Sequence, residues 1–299
     1  MFDLMDLVPE KQIKCLDSGH VEILDVMPRL VPEGRTADHA IVKAARVSYG
    51  DGTKTVNEDR GLIRYLMRCS HSTPFEMVSF QFRIKMPIFC ARQIFRHRTS
   101  SVNEISGRYS VMKDEFYFPD SHQLRTQSKT NKQGSDGSLM ADAACAFSEE
   151  IENQCDDAYA LYQKLLDSGV AREQARMVLP LNLYTEFYWK QNLHNLLHLL
   201  ALRTDAHAQQ EIRVYADAML ALIKPLVPWT IEAWEDYHPM RGSIKLTRLE
   251  VEVIKEYIER FQSFAHAELP VLSSENKREQ SEWLEKANRL GIILPAPKS

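Results

Sequence analysis

The sequence lacks several features that would assign a protein to a common functional class. In its 299 residues no apolar run approaches membrane-spanning length, and the N-terminal residues carry acids where a secretory signal carries bases. The five cysteines are scattered without a CxxC pair, so we expect reduced thiols rather than disulfides or structural zinc. The net charge of -4 argues against a dedicated nucleic-acid binder. We therefore predict a cytoplasmic protein with no nucleic-acid or membrane partner.

Motifs of the common cofactor and metal folds are also missing. The chain has no GxGxxG after a strand, no GxxxxGK[ST], and no HxE with a paired PCxxC. His194 and His198 are four residues apart, but Asn195 stands where a metalloprotease needs glutamate after the first histidine. We therefore predict no metal site.

Residues 96–110, with the sequence RHRTSSVNEISGRYS, are rich in groups that bind ligands. They contain three arginines, a histidine, a glutamate, an asparagine and four serines among two aliphatic residues. Guanidinium groups, hydroxyls and backbone N–H groups near a glycine are used to hold phosphate. The segment therefore predicts an anionic ligand, with a nucleotide as the first hypothesis.

A structural alternative exists for part of this segment. The RHR triplet alone is typical of a solvated helix end that complements the helix dipole. The later residues favour a ligand, because Glu104, Ser106 and Arg108 alternate and would share one side of an extended chain. Gly107 between them would let the backbone approach the ligand closely.

Hydrophobic patterning predicts an α+β fold, with a small, mostly antiparallel sheet flanked by long helices. Strands are expected over 20–31, 77–86, 109–118 and 181–189. Helices are expected over 36–48, 57–69, 140–165, 194–203 and 208–223, and from residue 88 onward. Pro225 and Pro228 are expected to end the helix over 208–223.

Two further segments bear on the organisation of the chain. The polar stretch 120–138 predicts either a flexible excursion or a segment that a ligand or partner orders. A stripe of Leu249, Val253, Tyr257, Phe261 and Phe264 predicts a C-terminal helix. We expect one domain over 1–240 and a C-terminal helical extension of unknown role over 241–299.

The spacing of His198 and Arg203 on one helix suggests a shared site. At roughly 100° per residue the two side chains diverge by about 140° around the axis. If both bind ligands, they serve different pockets or two ends of a ligand system, and a site built from several subunits would be one solution.

Taken together, these segments resemble the flavin-dependent thymidylate synthases. Residues 96–110 resemble the family signature, which is an RHR triplet followed at fixed spacing by serine and an NExSxRY tail. The blocks HSTPFE at 71–76, ARMVLPLNLYTEFYWKQNLHNLLHLLALR at 175–203 and DAHAQQEI at 205–212 are similar to further family blocks in the same order. The resemblance covers roughly residues 20–240.

The resemblance implies a set of site residues. The positions that match the FAD-binding residues of the family are Thr73, Arg96, His97, Arg98, Glu104, Asn192, Leu193, His194 and His198. Those that match the dUMP-binding residues are Gln93, Ile94, Phe95, Arg96, Glu104, Ile105, Ser106, Gly107, Arg108, Arg176 and Arg203. His194 and His198 stand where some members have arginine and asparagine.

The resemblance also implies a reaction, in which dUMP becomes dTMP with methylenetetrahydrofolate as carbon donor and NADPH as reductant of the flavin. Arg203 would be the catalytic residue that activates the uracil ring, and the enzyme would be a homotetramer with sites shared between subunits. Cys90 lies in an apolar helical stretch and is interpreted as core rather than as a nucleophile. Ser106 lacks an obvious base other than Glu104, so we interpret it as a phosphate ligand.

Two alternatives remain open from the residues alone. A different flavoprotein could use the same residues for another pyrimidine or for folate oxidation. An RNA-binding module could use the RHR run and the basic stretch 125–132, although aromatic platforms are missing nearby.

Overall fold

The structure is a computed structural model, and it describes residues 1–47, 56–129, 134–238, 248–262 and 290. The chain divides into two compact units, Met1–Arg241 and Gly242–Ser299. Over the described ranges, no helix is both long and apolar enough to cross a membrane. The separate roles predicted for residues 1–240 and 241–299 stay predictions.

The first unit is built on a five-stranded antiparallel sheet with the strand order β2-β3-β5-β9-β6. The strands are β1 (Phe2–Asp3), β2 (Gln12–Cys15), β3 (Gly19–Met27), β4 (Leu30–Val31), β5 (Ser79–Pro87), β6 (Ser101–Glu104), β7 (Arg125–Gln127), β8 (Ser135–Ser138) and β9 (Tyr184–Asn192). The remaining strands form two small pairs, β1 with β4 and β7 with β8.

Alternating side chains explain why β5 lies at the centre of the sheet. Phe80, Phe82, Ile84 and Met86 are each 1% exposed or less, whereas the residues between them are half-buried. This period of two is the pattern of a strand with one fully covered face. The strand predicted over 77–86 is confirmed.

Helices cover the sheet and build a continuous apolar core with it. The helices of the first unit are α1 (Asp38–Arg46), α2 (Val56–Arg68), α3 (Thr73–Glu76), α4 (Ile88–Ile94), α5 (Ala141–Asp167), α6 (Arg172–Ala175), α7 (Leu193–Arg203), α8 (Gln210–Ile223) and α9 (Pro228–Tyr237). The mixture of antiparallel sheet and long helices confirms the predicted α+β class.

The strand predicted over 109–118 is wrong. Only Phe116 forms a β-bridge, to Leu183, and the rest of the segment is irregular. At Met112 the backbone is bound by α5 instead: Met112 N–H donates to the Tyr162 hydroxyl at 3.0 Å, and the Tyr159 hydroxyl donates to the Met112 carbonyl at 3.0 Å. The apolar residues of the segment pack into a second core cluster against α5.

The polar stretch 120–138 is partly regular. A 3-10 helix over Ser121–Gln123 leads into the pair β7 and β8, and residues 130–133 lie outside the described part of the chain. Arg125 in β7 donates to Glu211 on α8 at 2.7 Å, so an ion pair holds this hairpin against helix α8. The described parts of the stretch therefore have order of their own.

A buried carboxylate fixes the start of α9. Asp38 accepts hydrogen bonds from the backbone N–H groups of Trp229 and Thr230 and from the Thr230 hydroxyl. The prediction that Pro225 and Pro228 end the preceding helix is half right. Helix α8 ends at Ile223, before Pro225, but Pro228 occupies the first turn of α9, where its missing N–H costs nothing.

The second unit contains α10, Arg248–Gln262, over the part that is described. Arg248 and Glu252 form an i,i+4 ion pair on its surface. Of the predicted apolar stripe, Leu249 is exposed, while Phe264 and the side chains of Val253, Tyr257 and Phe261 lie outside what is described.

Candidate functional site

The loop after α4 brings the RHR triplet to the end of α7. Arg96 and Arg98 are exposed, whereas His97 between them is 9% exposed and points inward. The Arg203 Nε–H donates to His97 Nε2 at 3.2 Å, and the rings of His97 and His198 lie 6.1 Å apart. His198 and Arg203 therefore both lie beside His97. That they serve different pockets or two ends of a ligand system stays a prediction.

The protonation state of His97 follows from its surroundings. Burial lowers the pKa of His97 from 6.5 to about 4, with the charges of Arg203 and His198 as further causes. Burial also lowers the pKa of the Arg203 guanidinium. At neutral pH the pair is thus a neutral imidazole beside a half-buried cation.

Gln93 and Ile94 in α4 and Phe95 just after it differ in how far a ligand could reach their side chains. The Gln93 amide donates to Gln209 Oε1, just before α8, at 2.6 Å. Ile94 is fully buried, and Phe95 packs edge-on against Phe187 with a centroid distance of 4.9 Å. The Ile94 side chain is therefore out of reach of a ligand, whereas that of Phe95 is half-buried.

Strand β6 carries Glu104 to the edge of the sheet. The Thr185 hydroxyl, on the neighbouring strand β9, donates to Glu104 Oε1 at 2.6 Å. The predicted alternation of Glu104, Ser106 and Arg108 is wrong beyond Glu104, because the strand ends there and a turn follows. In that turn the Arg108 N–H donates to Ser106 Oγ at 3.2 Å.

The turn brings Gly107 against Arg176. A Cβ at Gly107 would lie 3.1 Å from Arg176 Cδ and 3.1 Å from Met112 Sδ, so only glycine fits without displacement. Arg108 pairs with Glu173 of α6 at 3.3 Å. Ser106, Gly107, Arg108 and Arg176 are thereby gathered into one basic group.

A cavity of about 250 Å³ lies beside α7. Its wall includes His71, Ser72, His194 and His198, which fall in two blocks predicted to contact flavin. Thr73 follows as the first residue of α3 and is exposed. The predicted residues Thr73, His194 and His198 thus line this one cavity or lie next to it.

Two residues that were predicted to bind the cofactor, Asn192 and Leu193, have side chains with structural roles. Asn192 Oδ1 caps α7 by accepting from the Asn195 N–H at 3.0 Å, and the Leu193 side chain is fully buried. Among the predicted nucleotide residues, Ile105 is exposed, and its N–H donates to the Glu186 carbonyl at 2.9 Å.

The interpretation of Cys90 as core is confirmed. The side chain is fully buried, and burial raises the pKa of its thiol far above the usual range, so it carries no thiolate. Among the described residues, no group of three or more histidine, cysteine, aspartate or glutamate side chains is arranged to hold a metal ion.

Sequence reasoning missed the residues that hold the predicted ones in place. Buried Thr185 is the partner of Glu104, exposed Gln209 is the partner of Gln93, and both lie within blocks that resemble the family. The strand predicted over 181–189 contained Thr185 but gave no sign of its partner across the sheet. That pairing depends on the register of β6 against β9.

The site combines guanidinium groups, an amide, a carboxylate and a histidine-lined cavity on one α+β scaffold. Such a set is typical of proteins that bind anionic small molecules. Comparison with known proteins agrees with that class. The family model described as Thymidylate synthase complementing protein matches residues 29–229.

Relatives named flavin-dependent thymidylate synthase are similar over most of the chain. One from Dictyostelium discoideum is 47% identical over 97% of this chain and 90% of its own length. One from Thermus thermophilus is 54% identical over 81% of this chain and 84% of its own length. This chain therefore belongs to the flavin-dependent thymidylate synthase family.

A solved structure shares the fold. The crystal structure of the UMP/dUMP methylase PolB from Streptomyces cacaoi, bound with 5-Br dUMP, has a TM-score of 0.67 and 36% sequence identity to this chain. The match covers 77% of this chain and all of the other.

Proposed function

We propose that this protein is a flavin-dependent thymidylate synthase that converts dUMP into dTMP. Family membership and the likeness to a dUMP methylase support the reaction. The observation that carries the proposal is the Arg203 guanidinium, half-buried and held at 3.2 Å by a histidine of the RHR triplet. A cation in that setting suits an anionic ring next to a cofactor.

The donor set around the cavity fits FAD. The imidazoles of His71, His194 and His198 line the hollow, and the exposed guanidiniums of Arg96 and Arg98 suit a diphosphate. We assign the cofactor to Thr73, Arg96, His97, Arg98, Glu104, Asn192, Leu193, His194 and His198. When bound, the reduced flavin supplies the hydride.

The basic group around Gly107 fits the phosphate of dUMP. Arg108 and Arg176 offer guanidinium forks, and Arg176 lies directly against Gly107. The remaining nucleotide contacts are assigned to Gln93, Ile94, Phe95, Arg96, Glu104, Ile105, Ser106 and Arg203. Arg203 would stabilise the negative charge that develops on the uracil ring when C5 acts as nucleophile.

We also propose that each site is shared between subunits of a homotetramer. Arg203 and Gln93 are held by α4, α7 and the start of α8, whereas Arg108 and Arg176 are held by the turn after β6 and by α6. Two differently anchored groups of polar side chains suit the two ends of a nucleotide that bridges neighbouring chains.

Methylenetetrahydrofolate is proposed as the carbon donor and NADPH as the reductant of the flavin. A cytoplasmic location is proposed on the ground that all five cysteines are free thiols, as a reducing compartment requires.

Anaerobic turnover tests the function. The purified protein should be yellow, NADPH should bleach its flavin absorbance, and dUMP with methylenetetrahydrofolate should then yield dTMP and restore the colour. A yellow protein that NADPH reduces but that forms no dTMP would favour a different flavoprotein reaction. A colourless protein that does not take up FAD would refute both.

A further inference from the structure

We propose that His97 is a positioning residue that orients the Arg203 guanidinium while leaving its positive charge uncompensated. The inference rests on the proposed function, in which Arg203 faces the uracil ring. It adds a second role to a residue that the family resemblance assigns to flavin alone.

The geometry of the pair defines its proton arrangement. A guanidinium has only N–H donors, so Nε2 of His97 must carry the lone pair and accept from Arg203 Nε at 3.2 Å. Because the contact uses Nε, both terminal amino groups of Arg203 remain available for a ligand. An imidazole that accepts at Nε2 carries its proton at Nδ1.

Hydrogen bonds to the backbone N–H and carbonyl of His97 hold this residue in place. The His97 N–H donates to the Ile94 carbonyl at 3.0 Å, and the Ser100 hydroxyl donates to the His97 carbonyl at 2.9 Å. With the residue 9% exposed, few alternative rotamers are open to its ring. His97 is therefore held where it can orient the Arg203 side chain.

The hydrogen-bond partner of Arg203 is neutral, whereas the partners of Arg108 and Arg125 are anionic. Arg108 and Arg125 face carboxylates, at 3.3 Å from Glu173 and 2.7 Å from Glu211. Within the described part of the chain, Arg203 has no carboxylate at salt-bridge distance, and its partner is an imidazole.

A neutral acceptor matters for the chemistry at the ring. A carboxylate would orient the guanidinium equally well, but it would cancel much of the field that stabilises negative charge on uracil. The charged or titratable groups that face His97 are Arg203 and His198, both on α7, and both disfavour its protonation. The imidazole therefore stays neutral, and the full charge of Arg203 acts on the ligand.

Three substitutions separate orientation from charge. His97→Gln keeps a neutral acceptor near the position of Nε2, His97→Glu makes that acceptor anionic, and His97→Leu removes it. Exposed His122 provides the matched control, His122→Leu. Each variant is saturated with FAD, its bound flavin is quantified, and its dUMP dissociation constant and kcat are measured.

We expect His97→Gln to weaken dUMP binding by about threefold, and His97→Leu and His97→Glu by about tenfold or more, with kcat lowered in the same order. Loss of a hydrogen bond to a charged group corresponds to roughly a ten- to hundredfold effect. His122→Leu should match the unaltered protein. If His97→Leu fails to fold, the comparison of glutamine with glutamate still decides the question.

Two results would overturn the proposal. In one, all three variants bind dUMP alike once FAD is saturating, which would leave His97 with a flavin contact only. In the other, His97→Glu equals His97→Gln. Failure of the proposed function is distinguishable, because the unaltered protein would then make no dTMP, whereas dUMP affinity is measured without turnover.

Discussion

Arginine side chains of this site differ in what holds them, and that difference indicates their separate tasks. Arg108 pairs with an exposed carboxylate, and a phosphate can replace that carboxylate as its partner at little cost in free energy. Arg203 is half-buried against a neutral imidazole, and a group held there keeps its charge and direction. The first arrangement suits capture of the nucleotide, and the second suits action on its ring.

The orientation of Glu104 depends on a single buried hydroxyl. Thr185 is 3% exposed and donates to Glu104 Oε1 at 2.6 Å. Thr185→Val keeps the shape and the strand preference of threonine but removes the donor. We expect dUMP affinity to fall by about tenfold, the scale of a hydrogen bond to a charged group. Isothermal titration calorimetry of the FAD-loaded protein measures it.

Thr185→Ser is the matched control, because serine retains the hydroxyl and should recover most of the affinity. Unchanged dUMP affinity in Thr185→Val would show that the carboxylate of Glu104 needs no such support.

Helix α9 depends on one carboxylate from α1. Asp38 is fully buried and accepts from two N–H groups at the first turn of α9 and from the Thr230 hydroxyl. Asp38→Ala leaves these buried donors unpaired, which costs about 2 kcal/mol of unfolding free energy on the scale of helix caps and buried polar groups. Urea unfolding followed by circular dichroism measures the loss.

The same carboxylate makes stability depend on pH. Burial raises the pKa of Asp38 from 3.8 to about 6, so the folded state favours the protonated acid. The stabilisation of the folded state by protonated Asp38 is complete below pH 3.8 and is lost as the pH rises through about 6. The difference in unfolding free energy between the unaltered protein and Asp38→Asn should therefore fall across this window as the pH is raised. A constant difference over that range would contradict this.

Helix α5 holds the segment that follows the signature. Tyr162→Phe removes the acceptor of the buried Met112 N–H, at a cost of about 1–3 kcal/mol. Because Met112 also lies against Gly107, we expect weaker dUMP binding together with a lower melting temperature. Tyr159→Phe, which removes a donor to the Met112 carbonyl in a half-buried position, should cost less. Equal losses in the two variants would contradict the role given to burial.

Local sequence patterns predicted the elements in which the core regularly covers one face. The alternation in β5 and the leucines of α7 each report a face that the sheet and core cover. The segment 109–118 was also predicted as a strand, yet the backbone groups of Met112 bond to Tyr159 and Tyr162, which lie 47 and 50 residues further along the chain. No local pattern contains that partner, so the predicted strand was wrong.

The same limit applies to the site. The motif residues were recognisable because guanidiniums, a glutamate and a glycine stand together in the chain. The turn at 105–108 and the partners Thr185 and Gln209 depend on the register and on packing between distant segments. Sequence reasoning therefore predicted the ligand-binding groups better than their orientation.

At the scale of the whole molecule, two groups of polar side chains combine into one proposed site. One group contains Arg203 and Gln93, and the other contains Arg108 and Arg176. Shared sites would make activity depend on assembly, because neither group alone binds both ends of a nucleotide. Dilution below the dissociation constant of the oligomer should then reduce turnover per subunit, as sedimentation and activity measured together would show.

Subunit mixing tests the central claim most directly. Arg203→Ala and Arg108→Ala should each be almost inactive when purified alone. Co-expressed with separate affinity tags and isolated as mixed oligomers, they should recover about a quarter of the unaltered rate, because random assortment reunites an intact group from each chain in that fraction of sites. Mixed oligomers that contain both variants, bind FAD and remain as inactive as either parent would contradict a site shared between subunits.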